Sequence, residues 1–485
     1  MNGLYLNIDR WRRNSLFESS ISLFLAIFLS IVLVRLSLFH FLVAILIVIT
    51  PYLFSRPYET LLFFLSLLIL FSTFSYAMKE GTKVINIYER GSGILPFSLI
   101  NCFLFFIFFA ALFSSIHKKN YGQFLLIDIS VLVFLTISLL YISVFLFANP
   151  NGLSMEGIRK AFHQFGVMGI VEFCLVYFIV NIVLSNKKKL ARLIYFMLFL
   201  TFLKASYGIV RYAFFGGEPR NYAARMGLNF KLTFFDIYDS AFFIFIFSFC
   251  FLNIFILSRK KIFFSVAIFI TLFNVLLSFR RSAWIGLIFV VFYLFQKIGR
   301  GNKVILKTVM AMVLIIILVG ITNLRFRSFE NSLNDVSFDF SASYKMGRFG
   351  ELFYALKSIF KSPIIGHGVT GKYLASPSFI WAAPPDIVHS SVIHIALKMG
   401  FIGLSVLSLV IAGLYSLNKN LRKKNIKDEE LKIMIYSTCS TLIFLVPDFL
   451  FGTPLLLFRQ ATVLGFFVGL LSSSAKLLNR IDQNN

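Results

Sequence analysis

The chain has 485 residues, 58% of them hydrophobic and 18% aromatic, and a formal net charge of +26. That is more apolar surface than one soluble core can hide, and apolar runs of roughly 20 residues recur along it, which excludes an ordinary soluble domain. The basic residues lie in short clusters between those runs rather than in one basic stripe, which argues against nucleic acid as a partner. Cys102, Cys174, Cys250 and Cys439 sit inside apolar segments with no CxxC or Cys/His ligand spacing. They therefore outline neither a disulfide framework nor a zinc site.

In chain order, the basic N-terminus "MNGLYLNIDRWRRNSLFESS" precedes an apolar run without a small-residue cleavage site, and reads as the flank of a retained first span. Apolar segments follow at 17–36, 38–54, 60–77, 96–116, 124–148, 166–185, 191–214, 237–258, 261–279, 282–297, 304–323, 390–417, 431–449 and 455–474. Window reasoning thus gives about 14 spans. With both termini in the cytoplasm, the clusters "HKK" at 117–119, "KKK" at 187–189, "RKK" at 259–261, "KIGRGNK" at 297–303 and "KNLRKKNIK" at 419–427 all fall inside, as the positive-inside rule requires. The expected fold is an all-α polytopic membrane protein. A bundle over 1–323 comes first, then one large outer-face loop over 324–389, then C-terminal transmembrane helices over 390–485.

The same parity puts Arg220, Arg225, Lys231, Arg280, Arg281, Arg325, Arg327, Lys345 and Arg348 on the outer face, against the charge rule. Long loops tolerate such charge, which covers Arg325 and Arg327. Arg280 and Arg281, in a turn of a few residues between two spans, need another reason. Within the loop, "SYKMGRFGELFYALKSIFKSP" spaces Met346, Phe349, Leu352, Phe353, Leu356 and Phe360 helically, with Lys345, Arg348, Glu351, Lys357 and Lys361 interspersed. This predicts an amphipathic helix of about four turns, at the membrane surface or capping a cavity. Pro363 and the glycines of "PIIGHGVTG" end it in a turn.

Arginines drawn from separate outer segments suit a phosphate or pyrophosphate, because the guanidinium fork stays charged and binds in bidentate fashion. His389, at the start of "HSSVIHIALKMGFIGL", could take a proton from a hydroxyl beside them. The bland alternative is that His389 caps its helix together with Ser390 and Ser391. His394, one and a half turns further in, reads as a packing residue, and His367 between two glycines is weaker still as a candidate.

These residues carry a resemblance. "HSSVIHIALKMGFIGL" resembles the signature of the bacterial O-antigen ligase and O-antigen polymerase superfamily, in which a histidine precedes a Gly-x-x-Gly pair, here His389, Gly400 and Gly403. "ARMGLNF" is similar to the family's first arginine-glycine motif through Arg225 and Gly227, and "FRRSAWIGL" to its serine-arginine turn through Arg281. "GRFGELFYALKSIFKSPIIGHG" is similar to the loop segment from an arginine, Arg348, to a Pro-x-x-Gly-x-Gly turn. Ser390 stands where the family usually has asparagine, and Arg280 where it has serine, which leaves Arg280 as a second candidate beside Arg281.

The resemblance covers about residues 225–404, and the first 200 residues match only as hydrophobic spans. It implies a metal-independent membrane glycosyltransferase of the C-type, without cofactor, in a bacterial inner membrane. The donor would be glycan on undecaprenyl pyrophosphate. Arg225 and Arg281 would grip the pyrophosphate with help from Arg348, and His389 would activate the acceptor hydroxyl. A polymerase, adding the growing chain to the next lipid-linked repeat, is the expectation. A ligase handing the glycan to lipid A-core is the near alternative, and a lipid-linked glycan flippase the alternative of another class. Expected partners are the lipid-linked oligosaccharide, a glycan or lipid-glycan acceptor, membrane lipids and, as a further candidate, a chain-length regulator.

Overall fold

The computed structural model describes residues 53–71, 98–117, 124–163, 166–215, 236–257, 261–278, 280–297, 347–375, 385–424 and 426–484. The chain divides into the units Met1–Pro57 and Tyr58–Asn485, and the helices described here build the second. In chain order they are α1 (Pro57–Leu70), α2 (Leu99–His117), α3 (Leu126–Ala148), α4 (Met155–Ala161), α5 (Met168–Val183), α6 (Lys187–Phe215) and α7 (Ile237–Leu252, continued by a π-helical turn over Asn253–Leu257). Then come α8 (Lys261–Leu277), α9 (Arg281–Lys297), α10 (Gly347–Ile359), α11 (Ser391–Lys423), α12 (Glu429–Phe451) and α13 (Phe458–Asn484). No strand occurs among the described residues.

Seven of these helices are long and apolar enough to cross a membrane, and α1, α5, α8 and α9 are shorter apolar helices. Each coincides with a segment expected from the sequence. The expected spans at 17–36, 38–54 and 304–323 lie wholly or almost wholly outside the described residues, as do the loop parts 324–346 and 376–384.

Helix α7 is the centre of the bundle. Every residue from Ile237 to Leu252 is buried, so a helix apolar all round is surrounded all round, by α8, α12 and α6 among others. Helix α13 packs along α5. A Cβ at Gly465 would strike the Phe173 carbonyl oxygen, and one at Gly469 would sit 3.0 Å from that of Tyr177. Small residues four apart thus bring two backbones together, which is how helices attract where lipid removes the hydrophobic drive between them. Exposed Phe109, Phe147, Ile262 and Phe269 on α2, α3 and α8 form a rim whose chemistry suits acyl chains.

Polar contacts tie the two ends. At one end, Tyr58 Oη donates to the Lys189 carbonyl (3.0 Å) and Lys187 pairs with Asp428 (2.6 Å). Lys476 pairs with Asp128 (2.8 Å), which also accepts from Tyr177 Oη (2.6 Å). At the other end, Asp236 caps α7 and Arg459 of α13 is fully buried against it, Nη1 to Oδ2 at 2.7 Å. Arg459 also holds Asp239, as does Lys204 of α6. Arg459 Nε donates to the Leu68 carbonyl (2.9 Å), and Lys204 Nζ to that of Ile69 (2.6 Å). Two cations thus meet two carboxylates and two carbonyls at the end of α1, and such pairing is the condition on which charge is tolerated inside an apolar bundle.

Candidate functional site

The site is built around a break in α11. Gly400 has φ 59° and ψ −150°, a region open only to glycine, so the helix is interrupted one-third of the way along. An interrupted helix loses backbone bonds that lipid cannot replace. Here the turn after α10 replaces them. The N–H groups of Phe401 and Ile402 donate to the carbonyls of Pro363 (2.7 Å) and Ile364 (3.2 Å), and those of His367 and Gly368 donate to Leu397 (2.8 Å) and Lys398 (2.9 Å). Tyr141 Oη on α3 donates to the carbonyls of Ile365 (2.9 Å) and Met399 (3.1 Å), and buried Lys398 donates to that of Gly371 (2.6 Å). Gly366, with φ 68°, is a glycine for both reasons: its backbone is left-handed, and a Cβ would lie 2.6 Å from the Gly400 nitrogen. The Pro-x-x-Gly-x-Gly turn and the Gly-x-x-Gly helix are therefore two halves of one joint.

That joint fixes α10. His367 Nε2 lies 2.7 Å from the Ser358 carbonyl, and Ser358 Oγ accepts from the Leu374 N–H (3.0 Å). Ala355 of α10 packs with Tyr373, Val388 and Leu397 in a small second core. The face of α10 turned inward is thus Glu351, Ala355 and Ser358, one helical stripe of small and polar residues. Phe353, Leu356 and Phe360 of the apolar stripe are exposed. This is the reverse of a helix laid on a protein core.

The inward stripe delivers Glu351 to His389. Glu351 Oε1 accepts the His389 backbone N–H, and Oε2 stands 2.8 Å from His389 Nδ1. The Glu351 side chain is 2% exposed and that of His389 26%, so the carboxylate is enclosed while the ring keeps access to solvent. Burial, with the Glu351 and Asp386 charges, pushes the nearby Tyr373 phenol up to about 12. Ser390 caps α11 at the Ile393 N–H (3.5 Å), and Ser391 Oγ accepts from the Leu455 N–H (3.4 Å). Ser390 thus serves the helix end and Ser391 the turn before α13, so the cap does not call on the histidine's ring. His394 is buried, with Nε2 3.2 Å from the Gly166 carbonyl, as a packing residue would be.

Arg280 and Arg281 stand at the start of α9, at the bundle end that holds Arg459. The turn before them is clasped by Trp284, whose indole donates to the Leu276 carbonyl (3.2 Å), one of the orphan carbonyls at the end of α8. Arg280 is half-buried, and its charge acts on Asp236, the cap of α7. Arg348 lies in the first turn of α10, one helical turn before Glu351. Arg225 lies outside the described residues. Arg348 and His389 lie on neighbouring elements, α10 and the start of α11, with the Arg348 side chain outside those described.

In the sequence Glu351 reads as one of the charges interspersed along an amphipathic helix. Its signal is its register: Glu351, Ala355 and Ser358 fall at i, i+4 and i+7, on one helical face.

Residues 266–408 match the family described as O-antigen ligase. The matched stretch runs from α8 to the middle of α11 and contains Arg280, Arg281, Arg348, Glu351, His389 and the glycine joint. It bears out the resemblance to the O-antigen ligase and polymerase superfamily. No curated protein matches the chain.

Proposed function

We propose, from the premise that residues 266–408 form an O-antigen ligase family segment of a multi-pass membrane protein, that the protein is a polysaccharide polymerase. It would move glycan from undecaprenyl pyrophosphate to an acceptor sugar hydroxyl at the outer face of the inner membrane. The observation that carries the transfer chemistry, which a ligase would share, is His389, partly exposed at the mouth of a broken membrane helix and fixed by a buried carboxylate.

In the reaction, His389 takes the proton of the acceptor hydroxyl as its oxygen forms a bond to the anomeric carbon. The bond from that carbon to the pyrophosphate oxygen breaks, and undecaprenyl pyrophosphate leaves with the electron pair. Arg225, Arg281 or Arg280, and Arg348 hold its growing negative charge, a stabilisation that fixed cations in a water-poor site supply well. Pyrophosphate held in this way is a good leaving group without a metal. Direct displacement inverts the anomeric centre.

The orientation follows from the charge pattern: the end carrying Lys187, Lys424 and Lys427 is cytoplasmic, as are both termini, and the end carrying His389 faces outward. A flippase would line a path across the membrane with cations. Here the buried cations Arg459 and Lys204 are bound to carboxylates at one end of the bundle, and buried Lys398 to a backbone carbonyl. The ligase reading shares every residue of the site and differs in the acceptor.

Deletion of the gene in its host separates the two. Core lipid carrying a single repeat supports the polymerase, and bare core with long chains stranded on the carrier supports the ligase. An unchanged polysaccharide ladder, in a genome without a second copy, refutes both.

A further inference from the structure

We propose that Glu351 is the positioning residue for His389, and that it holds the ring in the tautomer with its hydrogen on Nδ1. The inference rests on the reading of His389 as the base that activates the acceptor.

Each oxygen of one carboxylate meets a different nitrogen of the same residue. Oε1 takes the backbone N–H of His389 and Oε2 lies 2.8 Å from Nδ1. An ionised carboxylate can only accept, so the hydrogen in the second bond belongs to Nδ1, and in a neutral imidazole the lone pair is then on Nε2. The backbone bond fixes the position of the residue, while the ring bond fixes its rotation and its tautomer. A carboxylate that merely served the start of α11 would need the backbone bond alone. When the ring gains a proton it becomes a cation beside an enclosed anion, and the pair is steadied as charge develops, the role the carboxylate plays in a serine-histidine-aspartate triad.

The arrangement is rigid for a reason visible in the fold. Glu351 is set on α10 by Ala355 and Ser358, Ser358 is bonded to His367 and Leu374, and the turn bearing His367 is locked into the break at Gly400. The joint that mends the broken helix also aims the carboxylate. Tyr373, beside the pair, feels the charges of both Glu351 and Asp386.

The test uses the full-length protein labelled with ¹⁵N-histidine in lipid nanodiscs. The ring signals of His389 are assigned by their loss in His389→Ala, and polysaccharide yield is measured in a deletion host carrying each variant at equal membrane abundance. The Nδ1–H tautomer is expected in the wild type, with a shift towards Nε2–H in Glu351→Gln. Yield in Glu351→Gln is expected to fall at least about tenfold, less than the about 10⁴-fold loss known when a triad carboxylate is made an amide. Glu351→Asp, which keeps the charge on a shorter arm, is expected to recover part of the yield and the wild-type tautomer. It also carries the test should Glu351→Gln fail to accumulate.

An unchanged tautomer and full yield in Glu351→Gln, with yield abolished in His389→Ala, overturn the positioning role and leave the site reading standing. Full yield in His389→Ala overturns the site reading, and the positioning role falls with it.

Discussion

The joint between the turn at 363–368 and the break in α11 makes a graded prediction from three glycines of positive φ. In Gly400→Ala, an alanine at φ 59° and ψ −150° carries about 1–3 kcal/mol of backbone strain. Its Cβ also meets the Ile364 carbonyl oxygen, which accepts the Ile402 N–H. Moving the turn away strains that bond and its neighbour from Phe401 to Pro363, each worth about 0.5–1.5 kcal/mol net. The total is about 4 kcal/mol, a large fraction of the stability of an ordinary domain. Gly366→Ala, with its Cβ 2.6 Å from the Gly400 nitrogen and from the Lys398 carbonyl, belongs in the same class. Gly368, with φ 76°, has nothing within 4 Å of a built Cβ, so Gly368→Ala carries only the left-handed penalty of about 1 kcal/mol. The assay is the thermal midpoint of each variant in nanodiscs, paired with limited proteolysis after residue 363. Gly400→Ala and Gly366→Ala are expected to melt well below Gly368→Ala and to be cut sooner. Equal midpoints for all three would refute the idea that turn and helix break are one structure.

Two further substitutions probe what surrounds that joint. Arg459→Met leaves Asp236 and Asp239 without their shared guanidinium in a buried site, and is expected to lower stability by about 3–5 kcal/mol; a wild-type melting profile would contradict the buried charge cluster. Tyr141→Phe removes a donor shared by the Ile365 and Met399 carbonyls at a half-buried position, and is expected to lose only about 0.5–1.5 kcal/mol with most activity retained, which the same melting assay checks.

Much of this was legible in the chain. The helices α2, α3, α5, α6 and α7 fall within a few residues of their apolar runs, because in lipid the length of an apolar stretch and the need to bond every backbone group leave a helix as the solution. α10 was visible through its spacing, and His389 through its place beside polar residues at a helix mouth. What was hidden depended on contacts far apart in sequence. Glu351 and His389 are 38 residues apart, and no local pattern pairs them. The break at Gly400 reads as an ordinary helical glycine until the carbonyls of Pro363 and Ile364 are seen beside it. Arg459, in a segment whose composition reads as one more span, is buried only because Asp236, Asp239 and the end of α1 converge on it. The exposed apolar stripe of α10 was readable as amphipathic, but which face turned inward was decided by packing against Tyr373, Val388 and Leu397, which takes in Ala355 and leaves Phe353 exposed.

The central claim is glycosyl transfer from a lipid-linked pyrophosphate with His389 as the base. Its most direct test gives the purified protein in nanodiscs the undecaprenyl-pyrophosphate-linked repeat of its own host, with a chelator present, and follows release of undecaprenyl pyrophosphate together with glycan length by mass spectrometry. The account expects wild-type protein to release the carrier and lengthen the glycan, and His389→Ala, inserted to the same level, to do neither. Equal release and lengthening by His389→Ala, or intact donor after incubation with active-fold wild-type protein, would contradict it.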